Sequence, residues 1–288
     1  MIIAHTSPWG GVLNVTEYLT APWFALLVGM SLLLAWDRAD GRAGLFILGN
    51  TARGVILIAV GEWLQRTYGQ IDVVLQTLGL LTIVLAPAVV LVGQRWQVWT
   101  SVAAVMAVLS PIVMSSGRAW LDGGGWETGW VGHVVELAAA GTHYRVTSFL
   151  AIAAAGIAAV PALRAGWGTG RRGVGLTIGL TTAAAAVYVF GKASPWGADA
   201  YSGSTPEIVG AILLSLAATV ACAWITGALG ERRVRAWIGA VVDTGRMAFT
   251  ACLATSWAWL RVFPTGPLEM ILRLPATGLV RAIDRPRL

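Results

Sequence analysis

The sequence predicts an all-α fold, a polytopic transmembrane helical bundle, and three observations carry that prediction. Hydrophobic residues make up 57% of the 288 and charged residues only 12%, where a soluble domain carries about 25% charged residues. The mean hydropathy of +0.71 means that lipid is the solvent for most of the surface. About eight apolar runs are long enough, or nearly so, to cross hydrocarbon, each crossing using about 20 residues. Residues 1–265 read as the bundle and 266–288 as a basic C-terminal tail.

Each run must be helical, because backbone N–H and C=O groups left unpaired in hydrocarbon cost too much and a helix pairs them internally. The first, 19–36, is flanked by Trp23 and Trp36 and followed by Arg38 and Arg42. The second, 45–64, contains Arg53 and Glu62 and closes at Trp63. The third, 73–92, stops before Arg95, and the fourth, 98–114, begins beside Trp96 and Trp99. The fifth, 146–163, is rich in small residues over 151–159, which lets helices approach closely. The sixth, 174–190, the seventh, 208–229, and the eighth, 247–263, complete the set. Cys222 and Cys252 lie inside the last two as small packing residues, not as a disulfide framework.

Orientation follows from the connections. Arg38 and Arg42, then Arg95, then Arg164, Arg171 and Arg172, then Arg232, Arg233 and Arg235 fall in alternate loops, and these should be cytoplasmic. The segment before residue 19, the Gly/Trp loop 115–145 and the loop 191–206 should then face outward, in a multi-pass protein of the plasma membrane. Eight crossings would leave the basic tail on the wrong side, so one run is re-entrant, or the tail crosses once more, or it lies along the interface. The 15 Trp residues cluster at run ends as an interfacial belt. The net charge of +6 sits in short inter-span clusters, which read as lipid-headgroup contacts and exclude a nucleic-acid partner. Met1 opens on Ile-Ile-Ala-His without a basic segment, so no cleavable signal peptide is visible.

Ionisable residues at membrane depth are expensive and mark candidate sites. Arg53 and Glu62, nine residues apart, fall on nearly opposite faces of one helix and cannot simply pair; snorkelling to the interfaces is the structural alternative. His5 precedes Thr6-Ser7-Pro8-Trp9 and has the proton affinity of a general base, although a terminal histidine also serves as a plain interfacial residue. His133 and Glu136 share a helix face, with His143 nearby, but no second ligand pair accompanies them and no metal is expected. Residues 168–173, Gly-Thr-Gly-Arg-Arg-Gly, follow no strand and form a flexible inner loop rather than a dinucleotide cradle. Asp199 and Glu207 flank Tyr201-Ser202-Gly203-Ser204-Thr205-Pro206, a group that either binds a polar substrate head or caps the next helix through Ser204 or Thr205.

Several strings resemble a large group of bacterial polytopic proteins of unknown function that is similar to heparan-α-glucosaminide N-acetyltransferase and to membrane acyltransferases of cell-surface sugars. They are residues 22–29 (Pro-Trp-Phe-Ala-Leu-Leu-Val-Gly), 71–79 around Leu75-Gln76-Thr77-Leu78-Gly79, Gly141-Thr142-His143-Tyr144-Arg145, residues 202–210, Gly245-Arg246-Met247-Ala248-Phe249-Thr250 and Gly266-Pro267-Leu268-Glu269. The departures are equally specific. Most of the family's first helix, with its Asp and Arg-Gly pair, is missing before His5, and Tyr201 stands where the bacterial group tends to show His. The interval 245–266 is short for the helices relatives place there.

The resemblance implies transfer of an acyl group from a cytoplasmic thioester, acetyl-CoA or another acyl-CoA, to a glycan or glycolipid acceptor at the outer face, in contact with membrane lipids. It makes His5 the candidate base, and Arg53, Gln76, Tyr201 and Glu207 the candidates for substrate positioning. The rival readings are a transporter, flippase or non-catalytic membrane subunit, which would show repeats and broken helices, and a family member left inactive without its first helix.

Overall fold

A computed structural model describes residues 15–67, 74–141, 143–195 and 197–229. Helices α1 (Val15–Asp37), α2 (Ala43–Thr67), α3 (Leu75–Val92) and α4 (Trp96–Asp122) follow one another through short connections. A 3-10 turn (Gly125–Thr128) leads into the short α5 (Trp130–Val135) and a π turn (Glu136–Ala140). Three long helices, α6 (Val146–Arg164), α7 (Gly170–Ala193) and α8 (Thr205–Leu229), complete the described chain. Among the described residues seven helices, all but α5, are long and apolar enough to cross a membrane. They coincide with the first seven predicted runs; the eighth and the basic tail lie outside the described residues, as does His5.

The bundle is centred on α6. Its span is 56% buried, against 11% for α7, and its buried face runs through Ala151, Ile152, Ala153, Ala154, Gly156 and Ile157. Both α1 and α4 pack along it, while α2 pairs with α3. Small residues set these distances. A Cβ on Gly54 would stand 2.7 Å from the Gly79 carbonyl oxygen, and one on Gly79 would stand 2.6 Å from that of Gly54, so α2 and α3 touch backbone to backbone.

Charges tie the helix ends together. Arg164 at the end of α6 pairs with Asp37 at the end of α1, and Gln94 beyond α3 donates to the same carboxylate at 2.9 Å. With α1, α3 and α6 ending on one side, the helices alternate in direction, and α5 with its π turn lies at the other end without crossing. Pro22, Pro87, Pro111 and Pro161 are all inside helices, as neighbouring helices in a membrane permit.

The segment 115–145 is more ordered than a loop reading suggests. Helix α4 continues through Ser115, Ser116 and Gly117 to Asp122 and ends only at the run Gly123-Gly124-Gly125. Within that extension Gly117 gives the π turn its seat, since a Cβ there would meet the Ala139 Cβ at 3.3 Å.

Candidate functional site

The largest fully buried side chain among the described residues is a cation, Arg145, only 1% exposed. A buried charge must be paired and hydrogen-bonded to be tolerated, and Arg145 satisfies this by joining two distant parts of the chain. It sits at the N-cap of α6 with an extended backbone. Its Nη1 donates to the Gly141 carbonyl at 2.8 Å, and its Nη2 donates to the Tyr201 carbonyl at 2.9 Å.

The turn that receives Arg145 is held from its other side by Glu207. The Gly203 N–H donates to Glu207 Oε2 at 3.1 Å. Tyr201 and Gly203 both have left-handed backbones, at φ 61° and φ 71°, which for Tyr201 is a strained conformation kept only because its surroundings fix it. Glycine is required at 203, where a Cβ would meet Arg145 Nη2 at 2.6 Å and Met114 Sδ at 2.9 Å. Both readings of the 199–207 segment are therefore realised: Ser204 caps α8, accepting from the Glu207 N–H at 3.3 Å, and the Glu207 carboxylate reaches back past it to Gly203. Burial pushes the Arg145 pKa below its ordinary value, with nearby Arg118 adding to the fall and Glu207 opposing it; a guanidinium still keeps its proton.

The turn is set into the bundle. Thr205 Oγ1 donates to the Ala107 carbonyl at 3.0 Å, and Ala107 lies about 16 Å along α4 from Trp96 at 1.5 Å per residue. Above this polar centre stands an aromatic cluster. The Tyr201 ring meets His143 and Tyr144 edge-on, each at a centroid distance of 5.5 Å, and Tyr144 continues inward to Phe149 at 6.0 Å. His143 is exposed and Tyr201 half-buried, so the cluster forms a rim with one imidazole facing out.

The residues expected from the sequence divide into three groups. Tyr201 and Glu207 belong to the centre just described. Gln76 is buried at the start of α3, where its Nε2 donates to Glu62 Oε2 at 2.9 Å, and Arg66 donates to the other oxygen at 2.9 Å. Arg53 is exposed partway along α2, facing away from Glu62's partners as the nine-residue spacing requires. Since Glu62 keeps Arg66, Gln76→Leu should lower thermal stability by no more than about 1 kcal/mol; a larger loss in a melting experiment would give the Gln76 contact a role this geometry does not explain.

Arg145, His143, Tyr144 and Gly203 were not singled out as site residues. The signal was nonetheless present, because the strings 141–145 and 202–210 are the two that the fold brings together. His133 and Glu136 do face each other, at 3.6 Å, and among the described residues no group of three His, Cys, Asp or Glu side chains is placed to hold a metal ion. Comparison with protein-family models, with curated proteins and with solved structures finds no match for this chain.

Proposed function

We propose that this multi-pass membrane protein is an acyltransferase that moves an acyl group, such as acetyl, from a CoA thioester to a glycan or glycolipid acceptor at the rim formed by His143, Tyr144 and Tyr201. The observation that carries this reading is the outward-facing His143 imidazole, stacked on Tyr201 above a turn that Arg145 and Glu207 hold from opposite sides. Aromatic faces suit a sugar ring, and a histidine near neutral pKa suits proton transfer. The rim faces outward in the plasma membrane, and the thioester approaches from the arginine-rich end, as the loop charges argue.

The chemistry balances on the acceptor and one histidine. His143 takes the proton of the acceptor hydroxyl or amine as its oxygen or nitrogen attacks the thioester carbonyl. The C–S bond then breaks, and the CoA thiolate recovers the proton. Arg145 and Glu207 are positioning residues here, since their polar atoms bind backbone and fix Tyr201. His5 is the competing base and lies outside the described residues.

The test is transfer of label from acetyl-CoA by the purified protein in lipid, with a mixture of cell-envelope glycans and glycolipids. Label should appear on an acceptor, and His143→Ala should slow it about 100-fold or more, the usual contribution of a general base. Loss with His5→Ala alone would move the base to residue 5. No transfer by the unaltered protein, together with no CoA binding, would remove the enzymatic reading in favour of a transporter or a non-catalytic subunit.

A further inference from the structure

Beside the rim, the far half of α4 and the short α5 enclose an open groove of about 450 Å³. Its walls are almost wholly apolar, with Ile112, Val113 and Trp120 from α4 facing Val134 and Ala138. The groove depends on Gly117, whose missing side chain lets the π turn close its floor. At one end stands Arg118. Its Nε donates to the Ala140 carbonyl at 3.2 Å, it is exposed, and among the described residues it forms no ion pair.

The depth of these residues matches the cross-section of a lipid. At 1.5 Å per residue Arg118 lies about 33 Å along α4 from Trp96, just past hydrocarbon about 30 Å thick. Ile112 and Val113 fall about 8 Å short of it, within the acyl-chain region. An apolar trough that ends at an exposed guanidinium beside an interfacial tryptophan thus presents its groups in the order tail, then anionic head. Arg118 is also electrostatically coupled to Arg145, which strengthens the attraction for a negative charge at that end.

We infer that this groove is a binding site for one phosphate-headed lipid, its acyl chain along Ile112, Val113 and Ala138 and its phosphate on Arg118. Guanidinium recognises phosphate oxygens through paired N–H donors, and zwitterionic neighbours with a screened phosphate compete poorly for it. The site stands independently of the acyl-transfer reading. It would also place a lipid head next to the His143 rim, because Ala139 lines the groove while the carbonyls of Ala140 and Gly141 are held by Arg118 and Arg145.

The test uses the full chain in phosphatidylcholine nanodiscs doped with phosphatidylglycerol that carries a photoreactive diazirine in its acyl chain. Crosslinks should concentrate on residues 112–120 and 134–139. Arg118→Gln should lower this labelling about five-fold, the scale of one basic side chain at an anionic surface, while leaving labelling by diazirine phosphatidylcholine unchanged. Ala138→Phe should block the groove and abolish both. Melting and elution profiles matching the parent would show that both variants are folded; if Ala138→Phe is not, Val134→Phe replaces it. The inference is overturned if crosslinks spread equally to exposed residues such as Leu48 and Ile178, or if Arg118→Gln leaves phosphatidylglycerol labelling unchanged.

Discussion

Arg145→Met is expected to destabilise the bundle by about 3–5 kcal/mol, the scale for breaking a buried charge network by removing one partner. Three groups lose at once. The carbonyls of Gly141 and Tyr201 lose their donor, and Glu207, 8% exposed, loses the positive charge that offsets it. Glu207→Gln should cost less, about 1–2 kcal/mol, because an amide oxygen can still accept from the Gly203 N–H. In the double variant the costs should fall short of their sum, since the two residues hold one turn. Arg145→Lys should not rescue the protein, because an ammonium cannot span two carbonyls with a rigid fork. Thermal loss of monodisperse protein in detergent measures each change. A cost for Arg145→Met within about 0.5 kcal/mol of zero, the range of an ordinary surface substitution, would mean that backbone packing alone holds the 201–203 turn.

The contrast between Arg145 and the helices explains what sequence could and could not reveal. Seven crossings were legible because transfer from water to lipid acts residue by residue, so a run of about 20 apolar residues declares itself locally. Arg145 sits one residue before such a run and, by the same local logic, looks like a loop charge. Its burial comes from the meeting of 141–145 with 201–207, a contact between segments more than fifty residues apart that no periodicity encodes. Glu207 was legible as a carboxylate in the first turn of a helix, and capping does account for Ser204. Its reach back to Gly203 depends on two left-handed residues that only the folded turn displays. The extension of α4 past residue 115 was hidden for a simpler reason. Serine and glycine there read as loop in water, but a helix flanked by the π turn has no cause to stop before three consecutive glycines. Arg53 and Glu62 behaved as helical geometry requires, while the choice of Gln76 as a partner for Glu62 depended on how α2 meets α3.

Gly29→Leu or Gly156→Leu should each cost about 3 kcal/mol, at the upper end of what overpacking a core imposes. A Cβ on Gly29 would stand 2.1 Å from the Ala153 carbonyl oxygen, and one on Gly156 would stand 2.3 Å from that of Leu26. These are backbone atoms of the facing helix, so no rotamer change can make room; α1 and α6 would have to separate along their crossing. The two contacts share one level of the bundle, because Cβ leans toward the N-terminus of a helix while carbonyls point toward its C-terminus. That level is consistent with parallel helices tied at their far ends by Asp37 and Arg164. Even alanine should therefore be costly at either position, and Gly29→Ala with Gly156→Ala should cost less than the sum, since the first already moves the helices apart. Gly175→Ala supplies the control. Nothing lies within 4 Å of a Cβ there, and on the helix α7 alanine should be neutral or stabilising by up to about 1 kcal/mol. Equal melting temperatures for Gly29→Ala and Gly175→Ala would show that the α1–α6 crossing can yield, and the separation of α1 from α6 would then not be set by glycine.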